Sequence, residues 1–472
     1  MPESPPLSRA TRMLPAAPRS RRTGAIGFVV LAGLVSGWPS VPAADDGLLH
    51  TDVAAVENVV QKRLEWLQRP EAWQLRWSQP IQGTAPAGAA GIVAWIDAGA
   101  VRGVRAIDGL PAWRSVPSGD TLLFPRSVLP RRHAARPDQG PPGISVVGHL
   151  LYGVIDAGRL GPLMICLDCS DTAEGRLLWS ASPPPGLVGF DGPPIADDRL
   201  CIVVVRGSEG RSPLEIVAHD ARDGVVMWRH PLSSGVASDG VNHASGRRQA
   251  ALVNGLVVIA DHAGSVWAFD RDGHPMWRYE YGAIPRGDDR LHDGDGRPVA
   301  AEPVVGSARC IVVAAQDRGG VIALDPAARS AQLRWEAAVG ECVRIIGIAD
   351  DRVVIEHGSV GREGPLVTRE VVSGQVVASS LAEPLPAGPA VLAGGVILQP
   401  VMEKQIAGQQ PAIAALDPSS LRALGPPFPL PVPDGGVKVV EPVRPHAVYV
   451  AAMPAAILVA TSNQLSSIGP SP

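Results

Sequence analysis

The stretch IVAHDARDGVVMW occupies residues 216–228, and VWAFDRDGHPMW occupies residues 266–277. Both read the same way: an alternating apolar run, Asp, a short polar step, Asp-Gly, then Trp four residues after the Gly. Alternation with period two marks a half-buried strand. Asp-Gly supplies a tight turn, because Gly adopts positive φ without strain and Asp bonds its own backbone. The phrase is therefore a hairpin whose second strand carries a large ring at one fixed place. A ring repeated at a fixed place requires a repeated docking site, which a neighbouring unit of the same kind provides.

The same spacing recurs at Gly109/Trp113, Gly175/Trp179, Gly224/Trp228 and Gly273/Trp277, each after an Asp: Asp108, Asp168, Asp220 and Asp270. A fifth copy keeps Asp325 and Trp335 but lacks the Gly. Two later copies are worn further, one with Gly374 and Ala378 where Trp is expected, the other with Asp417 and no Trp. Two more strand-like runs precede each hairpin, as in QAALVNG (249–255) and LVVIAD (256–261). Four strands in a period of roughly 40–50 residues specify a β-propeller.

The pattern predicts an all-β fold: an eight-bladed propeller of four-stranded blades, with third strands near 101–108, 161–168, 214–220, 265–270, 320–325, 365–370, 411–417 and 455–461. The last unit, VKVVEPV, HAVYVAAM and AAILVATS, holds only three strands. An orphan strand, WQLRWSQPI (73–81), places Trp77 where a blade-ending Trp belongs. It is expected to be the outer strand of the last blade, which closes the ring and removes an open edge. Six tryptophans are assigned to blade docking: Trp77, Trp113, Trp179, Trp228, Trp277 and Trp335. A proline-rich insertion spans 117–143.

Before the propeller, residues 1–44 read as a secretory signal: Arg19, Arg21 and Arg22, an apolar run over 24–38, then small residues at 41–44. That run is shorter than the roughly 20 residues a spanning helix needs, so no stable membrane span is expected after cleavage. Export implies a periplasmic or extracellular protein. Residues 45–72 carry Val53, Val56, Val60, Leu64 and Leu67 at three- and four-residue steps and predict an amphipathic helix ending at Pro70. The propeller is expected over 73–472. The formal charge of −4 argues against a nucleic-acid surface, which normally shows a basic excess.

The repeat resembles the pyrroloquinoline-quinone (PQQ)-like repeat family, in which each blade ends with Ala-x-Asp, a Gly turn and Trp. Strong copies cover units two to five. The resemblance implies a propeller, and it implies two kinds of function. One is a quinone-dependent alcohol or sugar dehydrogenase. The other is a non-enzymatic scaffold similar to the propeller lipoprotein of outer-membrane β-barrel assembly. The enzyme type carries a disulfide between adjacent cysteines over the quinone, and this chain has no Cys-Cys pair. Its haem module needs Cys-x-x-Cys-His, whereas CLDCS has Ser170 in the His place. The scaffold type is lipid-anchored, and the apolar run here contains no Cys.

Other constellations read as structure. Cys166 and Cys169 lie along one strand, where residues three apart point to opposite faces. Cys201 and Cys310 begin equivalent strands of non-adjacent blades, so no disulfide is expected between them. His219 and His262 lie in or beside strands and are expected to be satisfied structurally. The connection 281–303 concentrates Asp288, Asp289, His292, Asp293 and Asp295, part of a Ca²⁺-loop pattern without its closing Glu. The preceding connection, 233–249, holds His243. His243, Asp289, His292, Asp293 and Asp295 are candidates for a partner or ion contact. No catalytic set, cofactor site or metal site is assigned. The expectation is an exported non-catalytic scaffold for protein partners, through a loop face or a blade edge. The alternatives are a PQQ/Ca²⁺-dependent dehydrogenase and a carbohydrate-binding propeller.

Overall fold

The computed structural model describes residues 65–470, outside 81–86, 90, 98–99, 113–143, 157–160, 171–175, 191–193, 207–213, 233–249, 262–263, 282–304, 308, 316–319, 327–330, 339–342, 360–361, 381–385, 389, 406–407, 432–448, 454–455 and 461–463. Among the described residues the fold is an all-β propeller. Antiparallel sheets follow one another along the chain: A (87–105), B (144–181), C (189–231), D (251–280), E (305–338), F (343–379), G (391–429) and H (449–470 with Trp73–Pro80).

Seven of these sheets, B to H, reach the four strands of a full blade, and C carries one strand more. Sheet A has three. The expectation of eight four-stranded blades is corrected accordingly to seven full blades. After the turn of sheet A, Pro111 bridges back to Val104 and Ala112 N donates to Gly103 O at 2.9 Å. Proline has no N–H to give a ladder, and the proline-rich insertion follows outside the described residues.

The strand Trp73–Pro80 pairs antiparallel with Gln464–Pro470, from Trp73↔Pro470 to Pro80↔Gln464. The chain's two ends thus share sheet H. The third strand of that sheet is Gln464–Pro470, not 455–461 as expected; Ala456–Ala460 is the second and Tyr449–Met453 the first. VKVVEPV lies outside the described residues. Sheet H contacts sheet A through Leu458, Ala460 and Leu465 against Val93, Val104 and Ala106, which closes the ring.

Sheets stack face to face, so second and third strands are covered on both sides. In Leu200–Arg206, Leu200 through Val205 are all buried. This is why those strands are continuous apolar runs rather than alternating ones. Outer strands emerge into solvent: Val226–Pro231 has no fully buried residue.

A β-bulge recurs in these Trp-bearing hairpins directly after the residue opposite the Trp: at Cys166/Leu167, Ala218/His219, Ala268/Phe269 and Ala323/Leu324. A bulge re-aims the side chains beside it. Here it turns the ring towards the next sheet. Trp179 Nε1 donates to Ala221 O at 3.1 Å, Trp228 Nε1 to Arg271 O at 3.1 Å, and Trp335 Nε1 to Val371 O at 2.8 Å. Trp77 Nε1 donates to Ala106 O at 2.9 Å, across the closure.

The hairpin glycine makes this contact possible. At Gly273 φ is +85°, and a Cβ there would lie 2.5 Å from Trp228 Cγ. Gly109, Gly224 and Gly374 meet Trp77, Trp179 and Trp335 in the same way. Trp277 is buried in the D/E cluster with Leu324 and Ala331. Trp113 lies outside the described residues.

The seam between F and G, where the sequence is worn, reaches the same end by other means. Ala378 stands opposite Thr368, in the Trp position. Leu421 takes the place of the turn Gly at φ +55° and is buried in the F/G cluster with Ala378 beside it. Thr368 Oγ1 donates to Pro418 O at 2.8 Å, replacing the indole N–H. Volume has moved from one side of the seam to the other, and the buried carbonyl keeps its donor.

Candidate interaction surface

The hairpin turns and the outer strands form one rim of the ring, and the exposed apolar residues collect there. Ile107 and Leu110 lie on the turn of sheet A, and Val225, Val226 and Met227 on the turn and outer strand of C. Met276 lies on the outer strand of D and Leu333 on that of E. Val372, Val376 and Val377 do the same on F. With Leu75, Leu178 and Leu424 these are all the large exposed apolar side chains among the described residues except Val188. Among the described residues each outer strand also has one hydrogen-bonding edge without a strand partner. Such an edge is a template for an added strand.

Charges punctuate the rim in pairs. Arg229 Nε lies 3.5 Å from Glu215, Arg278 3.2 Å from Glu280 and Arg334 2.7 Å from Asp325. Between C and D, Arg271 pairs with Asp197 and lies 3.4 Å from Asp198, while Arg199 pairs with Asp272. These are half-exposed pairs, worth roughly 0–1 kcal/mol each. They orient the two turns rather than hold the seam. On the same side, Asp270 accepts from His274 Nδ1 at 2.9 Å and from the backbone N–H groups of Asp272 and His274. Burial pushes the Asp270 carboxyl up, but those hydrogen bonds outweigh it and hold the group below its ordinary value. The hydrogen bond to Asp270 raises the exposed His274.

An aromatic group lies between C and D. His230 sits 4.9 Å from Phe269 and 5.8 Å from Trp267, ring centre to ring centre. The Arg278 guanidinium covers Trp267 at 4.6 Å. Buried Asp261 accepts from Trp267 Nε1 at 3.1 Å and from Ser265 N at 2.9 Å. Sequence reading missed this group. Its signal was Trp267, which stands in the strand where the other repeats carry Val217 or Ile322.

The cysteines are core residues. Cys166 enters the B/C cluster with Tyr152 and Cys201, while Cys169 enters the A/B cluster with Ile92 and Leu151, so the pair diverges. Cys166, Cys169, Cys201 and Cys310 are free thiols. Burial pushes Cys166, Cys169 and Cys310 up to about 12, which leaves them protonated. Cys342 and His262 lie outside the described residues.

His219 is buried and stacks on Trp179 at 6.3 Å. Its Nδ1 lies 2.9 Å from Gly224 O, and Nε2 has no hydrogen-bond partner. It is therefore satisfied at one nitrogen only. Burial lowers its pKa, so the ring is neutral.

Among the described residues no three His, Cys, Asp or Glu side chains converge on a point that could hold a metal ion. The candidates His243, Asp289, His292, Asp293 and Asp295 lie outside the described residues. So do the signal-like segment 1–44 and most of the amphipathic segment, 45–64. Its end, Glu65–Gln68 and Pro70–Ala72, forms two 3₁₀ turns with Leu67 buried. No described helix is long and apolar enough to cross a membrane.

Residues 161–380 match the family model of the outer membrane protein assembly factor BamB. No curated protein matches the chain. Among solved structures, the BamB of Moraxella catarrhalis is 14% identical, covering 84% of this chain and 99% of its own, at a TM-score of 0.49. The quinohemoprotein alcohol dehydrogenase of Comamonas testosteroni is 14% identical, covering 86% of this chain and 77% of its own, at 0.51. The quinohemoprotein alcohol dehydrogenase ADHIIG of Pseudomonas putida HK5 is 12% identical, covering 85% and 76%, at 0.53. The PQQ-like repeat match thus covers residues 161–380, and the likeness to the two dehydrogenase structures shows a shared propeller fold.

Proposed function

We propose that the chain is an exported, non-catalytic scaffold that holds protein partners along its turn rim and outer strands. The observation that carries this reading is the concentration of exposed apolar side chains on that rim, next to open strand edges. An apolar surface interleaved with paired charges suits a protein partner. The match of residues 161–380 to an outer-membrane assembly factor supports the scaffold class. Export to the periplasm or beyond rests on the signal-like pattern of residues 1–44. In this reading the docking tryptophans serve architecture alone.

The test pairs two measurements on the mature protein. Replacing Val226 and Met227 by Glu should abolish recovery of the partner that co-purifies with wild type, with the melting temperature unchanged. Titration with pyrroloquinoline quinone and Ca²⁺ should change neither absorbance nor melting temperature. A saturable spectral change with a raised melting temperature would replace this reading with the dehydrogenase.

A further inference from the structure

Sheet H differs from the other full blades in one respect: its third and outer strands come from opposite ends of the chain. It therefore has no hairpin turn between them. At the B/C, C/D, E/F and H/A seams that turn delivers the glycine and the carbonyl that receive the preceding sheet's Trp. Sheet G lacks the other half of the contact. Leu424 N donates to Ala415 O at 2.8 Å, and Gly425 follows where the Trp stands elsewhere. At this seam both the ring and its receptor are missing.

Residues 65–72 fill the space. A Cβ on Gly425 would lie 2.7 Å from Pro70 Cγ, so the proline is seated directly on the glycine. Leu67 is fully buried in the G/H cluster with Leu398, Ile413, Ile457 and Ile468. Trp73 Nε1 donates to Trp66 O at 3.1 Å, and the two rings meet edge to face at 6.2 Å. Trp73 also lies 6.2 Å from Phe428 of the short outer strand of G.

We infer that residues 65–72 are a strap that stands in for the missing turn-and-tryptophan contact, and that the G/H seam is where the ring opens first. The reason is that the B/C, C/D, E/F and H/A seams each carry a turn-and-indole contact, whereas at G/H the sheet faces pack on each other and residues 65–72 supply the rest.

The test is hydrogen exchange on the full chain, read strand by strand. Leu67→Ala should speed exchange at least tenfold in Trp73–Pro80, Gln464–Pro470 and Val391–Ala393, and leave Leu214–Asp220 and Ser265–Phe269 at wild-type rates. Leu67→Met should behave as wild type. Gly425→Ala, which touches the strap but not Leu67, should loosen the strap enough for a glutamyl endopeptidase to cut after the already exposed Glu71 while the sheets stay protected. A uniform rise in every seam, or no rise at G/H, would overturn the inference. So would Gly425→Ala leaving Glu71 as resistant as in wild type.

Discussion

The C/D seam allows the docking geometry to be tested as a coupled pair, Trp228 with Gly273. Trp228→Ala removes a ring packed on Phe269 at 5.8 Å and an indole donor to Arg271 O. Truncating a large aromatic typically costs about 3–5 kcal/mol. Trp228 is only partly buried, so the low end, about 3 kcal/mol, applies here. Gly273→Ala has two costs. The positive φ costs about 1–2 kcal/mol for a residue with a Cβ. The new Cβ would also lie 2.5 Å from Trp228 Cγ and must push the ring out of its seat. The single glycine change should therefore cost nearly as much as losing the ring. In the Trp228→Ala background the second cost vanishes, and only about 1–2 kcal/mol should remain.

The assay is native-state hydrogen exchange in Leu214–Asp220 and Ser265–Phe269, because a chain of this size need not unfold in one step. A loss of about 3 kcal/mol corresponds to exchange faster by roughly 150-fold at tenfold per 1.4 kcal/mol. Strictly additive costs in the double variant would refute the reasoning. That result would mean the glycine acts through its backbone alone and the ring does not need its space.

The F/G seam makes the converse prediction. Leu421→Gly should destabilise, Ala378→Trp should also destabilise, and the double variant should recover much of both losses in thermal melts. Thr368→Val should cost about 1–3 kcal/mol in chemical denaturation, because it strands the buried carbonyl of Pro418. Buried neutral His219 makes stability depend on pH. Its folded pKa lies below the ordinary 6.5, so the stability it confers is present above that value and lost as pH falls below it. His219→Phe, which copies Phe269 of the next sheet, should flatten the fall in denaturation midpoint between pH 7.5 and 5.5; an unchanged slope would count against it. Arg271→Ala should change stability by no more than about 1 kcal/mol despite its two carboxylate neighbours, as measured by the same midpoint.

The propeller is legible in the sequence alone. Period-two runs, Asp-Gly punctuation and a Trp at fixed spacing are local properties, and each hairpin repeats them, so the unit can be read without knowing its neighbours. The closing strand was legible for the same reason: Trp73–Pro80 is a strand with a docking Trp and no hairpin of its own. The divergence of Cys166 and Cys169 also followed from strand geometry alone.

What sequence could not determine lies between units. Sheet A carries the repeat's Asp-Gly punctuation, yet it has three strands among the described residues. The register of the last unit slipped by one strand because several apolar runs near the C-terminus satisfy the same alternation. Only partner strands choose among them. The worn copies looked like decay. Packing shows that Leu421 fills the lost ring's volume from the opposite side of the seam, while Thr368 supplies the lost donor. The strap at 65–72 carries no repeat signal, because it complements two absences rather than repeating a pattern. The rim, too, is a tertiary property. An apolar residue on an outer strand reads like one on an inner strand until stacking decides which of them meets water.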